Sequence, residues 1–384
     1  MKVAVLGYGT VGAGVYLMLS DAPGMEAGPV LVRPGKAVES FMVSDAALIF
    51  GDPTVDAVVE TLGGLDPAYS YGMRALEAGK HFITANKAMV AAHGLELAAL
   101  AREKGAAFLF SAACGGGVPF LHNLALSAET DRIEAVSGIL NGTTNYMLDA
   151  MQRRGLSYGN ALREAQSLGY AESDPTADVS GLDALRKMQL ACAVAFGVLP
   201  QSGMLCEGME HFTAADVEDI QSRGLVCRLL ARGSRAGESV SAYVEPVLFH
   251  RAAPESSVFT NNNMASYTGK RCGSIVLMGQ GAGRFPTASA VLRDLSAAQQ
   301  GARSMFPENC RAAEADNREA VHSYYIRTGG FAAVRLSLRS VLAQGEVVRA
   351  VTEPMSAEKM HALAQNIRKD GNDLFFAALE EELC

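Results

Sequence analysis

The chain reads as an α/β protein whose first part is a doubly wound parallel sheet. Two observations predict the sheet. A strand, a glycine loop and a helix open the chain, and short apolar strands then alternate with helical patterns to about residue 112. A third observation is size: 384 residues, at roughly 150 per domain, leave room for one or two further domains.

The opening stretch is KVAVLGYGTVGAGVYLMLS. Val3, Val5 and Leu6 form a nearly continuous apolar strand, as expected for a parallel strand buried on both faces. Gly7, Gly9 and Gly12 follow in G-x-G-x-x-G spacing, with Thr10 and Val11 between the last two, and helical spacing takes over from Ala13. The first glycine serves a tight turn, the second a close approach to pyrophosphate, the third helix–strand packing; this is the Rossmann arrangement. The helix N-terminus adds free N–H groups for phosphate. The next strand, GPVLVR, ends on Arg33 with Lys36 close behind. An acid there would suit the NAD ribose, whereas Arg suits a 2′-phosphate, so NADP(H) is expected to be preferred, with NAD(H) as the other possibility.

VDAVVETLGG (55–64) is the third strand, ending in Thr61 and two glycines. A helix over 67–79, a strand and loop at KHFITANKA (80–88), a helix over 90–104 and a fifth strand at AAFLFSA complete this half. Ligands bind outside the carboxyl ends of such strands, where Thr61, Asn86, Lys87 and the CGGGVP loop fall. GILNGTTNYMLDAM (138–151) is a strand, a polar turn and a helix; Asn141, Thr143, Thr144 and Asn145 either cap that helix or line a pocket.

GYAESDPTADVSGLDALRK (169–187) gathers Glu172, Asp174, Asp178 and Asp183 ahead of Arg186 and Lys187. From about Gly181 the pattern is helical, so Asp183 and Lys187 share a face. A surface ion pair is the plain reading. However, the residues that follow are apolar on almost every face, which marks a buried helix, and unpaired charge there is costly. A buried carboxylate–lysine pair beside a nicotinamide suits alcohol oxidation, which needs a base for the hydroxyl proton. A lysine serves if burial or a second cation lowers its pKa, and Lys87 is the candidate second cation. Zinc is not indicated: the seven histidines show no HxxxH or Cys/His ligand spacing.

A net charge of −8 argues against nucleic-acid binding. Seven cysteines, odd in number and without a CxxC pair, fit a reducing cytoplasm. The chain shows no leader pattern and no apolar run long enough for a bilayer, so a soluble cytoplasmic protein without membrane partners is expected.

Taken in order, GYGTVG, VVETLGG, HFITANKA, CGGGVP, GILNGTTNYML, LGYAESDPTADVSGLDALRK and GQGAGRFPTASAV resemble homoserine dehydrogenase over residues 1–295. The resemblance implies NAD(P)-dependent interconversion of L-homoserine and L-aspartate 4-semialdehyde in threonine and methionine biosynthesis. It also implies an α+β substrate domain with a mixed sheet that pairs across a homodimer or larger homo-oligomer. The domains expected are 1–122 with 280–318 for nucleotide, 123–279 for substrate and dimerisation, and 319–384 as a tail. Lys187 becomes the acid/base and Lys87 its partner, while Glu172, Asp183 and the Gly169 backbone contact homoserine. Gly281 and Gly283 return to the cofactor cleft.

A monovalent cation, Na⁺ or K⁺, is implied on the carbonyls of Cys114, Gly116 and Val118 with a preceding glutamate. Ser111 stands where that glutamate belongs, and a neutral hydroxyl binds Na⁺ far less strongly. The tail reads strand (HSYYIR), helix (332–345), strand (EVVRAVT), helix (357–369), then NDLFFAALEEE: a shortened ACT-like module with one strand missing. Two rival readings are a semialdehyde dehydrogenase using Cys114 as nucleophile, and a non-catalytic NADPH or amino-acid sensor.

Overall fold

Six short parallel strands form the first sheet in the computed structural model, which describes residues 1–329 and 338–380. They are β1 (Lys2–Leu6), β2 (Glu26–Leu31), β3 (Met42–Val43), β4 (Ala57–Glu60), β5 (His81–Thr84) and β6 (Phe108–Leu109). Their order, β3-β2-β1-β4-β5-β6, reverses direction at β1 and β4 and so creates a crevice at the strands' carboxyl ends. The helices between them are α1 (Thr10–Leu19), α2 (Ala47–Phe50), α3 (Ala68–Glu77), α4 (Lys87–Lys104) and, after β6, α5 (Phe120–Thr130). β1 and β4 are buried on both faces, which is why their sequences are apolar without alternation. The sequence reading had five strands here; the sixth, β3, is two residues long, too short to show a period. α4 also starts three residues earlier than expected, at Lys87, because Asn86 caps it.

These elements belong to a unit of residues 1–133, 189–199 and 269–311, which includes the helix Arg284–Gln299. A second unit holds residues 134–188, 200–268 and 312 onward. Its mixed sheet runs Asn262–Gly269, Ile133–Ile139, Leu225–Ala236, Ser239–His250, Leu374–Leu379, Tyr324–Thr328, Val348–Thr352, Leu338–Ala343. The central hairpin is antiparallel, with Arg232 opposite Tyr243, and Ser239–His250 pairs parallel with Leu374–Leu379.

The tail differs from its sequence reading. Residues 338–343, expected in a helix, form a strand; the rest of that expected helix, up to 337, lies outside the described residues. With that strand counted, four tail strands lie in the order fourth, first, third, second, all adjacent pairs antiparallel, as in ferredoxin-like sheets. Tyr324, Met360, Ala364 and Phe376 of the tail share one core with Ile139, Leu230 and Val247. The tail is thus an extension of the second unit's sheet and core.

Candidate active site

In the first unit the glycine loop is built by three different constraints. Gly7 has φ +97°, a left-handed turn. A Cβ on Gly12 would stand 2.1 Å from the Gly7 carbonyl oxygen, so strand and helix touch there. A Cβ on Gly9 would meet no protein atom within 4 Å; it would enter the cavity that Gly9 lines. That cavity measures about 1050 Å³, and its walls include Gly7, Arg33, Lys36, Phe41 and Thr61. Thr10 and Val11 begin α1 behind it, whose first turn has no side-chain cap. Glu39 also lines the cavity, an acid near the two bases that the sequence reading passed over.

Glu60, fully buried at the end of β4, was missed as well. Its Oε1 accepts from the amides of Leu62 (2.6 Å) and Gly63 (3.2 Å), and its Oε2 from the Thr84 hydroxyl (2.5 Å). It fixes the loop on which Thr61 sits. Its signal was its position: a carboxylate closing an apolar strand. Thr61 Oγ1 in turn donates to the carbonyl of Leu6 at 3.0 Å. Asn86 caps α4 through Met89 N at 3.2 Å and donates to Gly64 O at 2.6 Å, which places Lys87, partly buried, on the first helical turn.

The triple-glycine loop lies against the 280–283 turn: Gly117 N donates to Gln280 O at 3.0 Å, and a Cβ on Gly116 would overlap Gly281 O at 2.3 Å. Gly283 (φ +125°) opens the helix Arg284–Gln299. From that helix, Asp294 accepts both the Ser111 amide (2.8 Å) and the Ser111 hydroxyl (2.6 Å). Burial pushes its carboxyl up to about 7 against these two bonds and the nearby Arg293. Arg293 donates to Gly117 O at 2.9 Å. The Val118 carbonyl already accepts from Phe120 N. The loop thus carries a guanidinium on Gly117 O and a neutral Ser111, and the Asp294 carboxyl is occupied by that serine. Among the described residues no group of three or more His, Cys, Asp or Glu could hold a metal.

In the second unit Asp183 and Lys187 meet as the helical spacing predicts. The helix begins at Leu182, after Gly181 (φ +82°) packs against Val244 and Cys206. Lys187 Nζ lies 2.7 Å from Asp183 Oδ2 and donates to Leu140 O at 2.6 Å. Both side chains are nearly buried, at 13 % and 12 % exposure, so this is not a solvated surface pair. Asn141 caps its helix and also binds two of the acids. Its Oδ1 caps the helix Gly142–Arg154 through Thr144 N, and its Nδ2 donates to Asp178 (2.7 Å) and Asp183 (3.0 Å). Burial raises the pKa of Asp178, a shift opposed by the Asn141 amide and reinforced by the Asp183 charge. Thr143 donates to Tyr170 O at 2.5 Å, tying the loop that carries Gly169 and Glu172. Gly169 (φ +74°) follows the helix Tyr158–Ser167, and the Glu172 side chain is exposed. Of the residues expected to bind substrate, Asp183 joins Lys187, while Glu172 lies on the exposed loop.

Known proteins match along the chain. The family model "Homoserine dehydrogenase, NAD binding domain" covers residues 7–111, and "Homoserine dehydrogenase" covers 119–296. A homoserine dehydrogenase of Synechocystis is 38% identical over 319 residues, 77% of this chain and 72% of that one. The crystal structure of a homoserine dehydrogenase from Thiobacillus denitrificans matches with a TM-score of 0.87 and 30% identity, over 99% of this chain and 98% of that one. A hyperthermophilic archaeal homoserine dehydrogenase in complex with NADPH shares the fold, with a TM-score of 0.67 and 24% identity over 81% of this chain and 99% of that one. On these matches the chain belongs to the homoserine dehydrogenase family, oxidoreductases that act on a CH–OH group with NAD(P).

Proposed function

We propose that the chain interconverts L-homoserine and L-aspartate 4-semialdehyde, in threonine and methionine biosynthesis, with Lys187 as the acid/base and NADP(H) as the preferred cofactor. The observation that carries the lysine role is its placement: Nζ is held between Asp183 and Leu140 O at the start of a buried helix. When bound, NAD(P) takes up or returns the hydride. Lys187 accepts the hydroxyl proton as the alcohol is oxidised and gives it back to the carbonyl oxygen in reduction. Asp183 orients the amine, and Asn141, which also holds Asp178, fixes Asp183. Glu172 and the Gly169 backbone stay in the reading as contacts to the amino acid, and Lys87 as the second lysine.

Cofactor preference rests on Arg33 and Lys36 in the cavity wall, set against Glu39. Homoserine oxidation followed at 340 nm with each cofactor tests it. Arg33→Ala is expected to erode kcat/KM for NADP⁺ by about tenfold, the worth of one charged hydrogen bond, and to leave NAD⁺ use little changed. Equal losses with both cofactors would overturn the preference. Lys187→Ala is expected to lose ~10²–10⁴-fold in turnover while retaining NADPH binding by fluorescence titration. Normal turnover in that variant would end the assignment.

The Cys114 nucleophile gains no support, because that thiol is fully buried. A homo-oligomer and a cytoplasmic setting complete the proposal. For the first, Val276 and Met278 expose apolar side chains at alternate positions of the strand Gly273–Gln280, and sedimentation velocity decides it. For the second, the six described cysteines are free thiols, and no described helix is long and apolar enough to cross a membrane.

A further inference from the structure

We infer that Arg293 supplies, as a fixed guanidinium, the positive charge that the triple-glycine loop would otherwise take from a bound alkali cation. The inference extends the family assignment to a property on which this chain departs from the pattern it resembles.

Four observations converge on one loop. Ser111 replaces the acid that would hold an ion, and its hydroxyl and amide are both spent on Asp294, which is fully buried. Arg293, the residue before Asp294 on the same helix, sets Nη2 2.9 Å from Gly117 O and Nη1 3.2 Å from Ser289 Oγ. Gly117 lies between two of the carbonyls that would face a cation. The guanidinium is kept there at a cost, since its Nε is buried without a hydrogen-bond partner among the described residues. Its charge is felt in the surroundings: the His122 imidazole is held below its ordinary range by burial first and by Arg293 second.

A carboxylate with a diffusible ion is neutral overall. Serine with a tethered guanidinium and the Asp294 carboxyl, ionised above about pH 7, reaches a similar balance with no ion to lose. The Gly117 carbonyl then meets a cation that is part of the chain, and the loop keeps its shape in any salt. Arg293 is therefore a positioning residue, acting through the loop backbone.

The test compares choline chloride, NaCl and KCl at equal ionic strength, reading the melting temperature of the cofactor-free protein and the rate of homoserine oxidation. The wild-type protein should give the same melting temperature and the same rate, within twofold, in all three salts. Arg293→Ala should lose roughly tenfold in rate in choline chloride, the scale of one charge-assisted hydrogen bond, and recover with K⁺, Na⁺ or added guanidinium. Its melting temperature should rise with K⁺ or Na⁺, and Arg293→Lys should stay insensitive to the salt. A saturable gain of the wild-type protein in NaCl or KCl overturns the inference, as does an Arg293→Ala variant fully active in choline chloride. The melting arm needs no turnover, so failure of the proposed reaction would leave it readable.

Discussion

Asn141 shows how one side chain sets the chemistry of two others. Its amide nitrogen bridges Asp178 and Asp183, two carboxylates that would otherwise repel across a half-buried space. Asn141→Ala removes the cap and the bridge together, and should cost about 1–2 kcal/mol in urea denaturation. Homoserine KM should rise more than kcat falls, because Asp183 loses its brace while Lys187 keeps Leu140 O. A variant with unchanged KM would mean the bridge does not shape the site. The sequence carried this residue only as a cap or a pocket residue. Spacing reveals neighbours four apart on a helix, as it did for Asp183 and Lys187, but not a partner 37 positions away. Glu172 illustrates the converse: a carboxylate in a legible motif whose direction depends on a loop that no periodicity describes.

Among elements, those with a clear local pattern were legible and those decided by strand pairing were not. The strand–loop–helix opening and the parallel strands after it follow from apolar runs and glycine spacing, as does the helix Leu182–Phe196 from its uninterrupted apolar faces. The strand Leu338–Ala343 was read as helix. It is a largely exposed edge strand without clean alternation, and its identity comes from pairing with Val348–Thr352. Pairing also joins the tail to the rest of the second unit, through Leu374–Leu379 against Ser239–His250. Phe376 is fully buried in a core shared with Leu230 and Val247, so Phe376→Ala should destabilise that whole unit by about 3–5 kcal/mol. Homoserine turnover should then be lost along the same urea curve as the tail's structure. Activity persisting after the tail has unfolded would show an independent module instead.

At the scale of the molecule, the buried carboxyl of Asp294 makes stability depend on pH. Its folded-state value of about 7 lies well above the ~3.9 of an unfolded aspartate, so the folded state holds a proton that the unfolded chain has already released. Below about pH 4 both states are protonated and no penalty arises. Between about 4 and 7 the folded chain loses stability as pH rises, and above 7 the loss is complete, roughly a few kcal/mol at most. Asp294→Asn keeps an acceptor for the Ser111 amide and offers a donor to the Ser111 hydroxyl, but carries no charge to bury. The variant should therefore match the wild-type protein near pH 4 and exceed it near pH 8, read as the difference in unfolding free energy from urea titrations. Because every other titrating group is common to the two proteins, that difference isolates the one carboxyl. A gap of equal size at both pH values would mean that Asp294 is ionised throughout and that Ser111, with Arg293 beside it, outweighs the cost of burial.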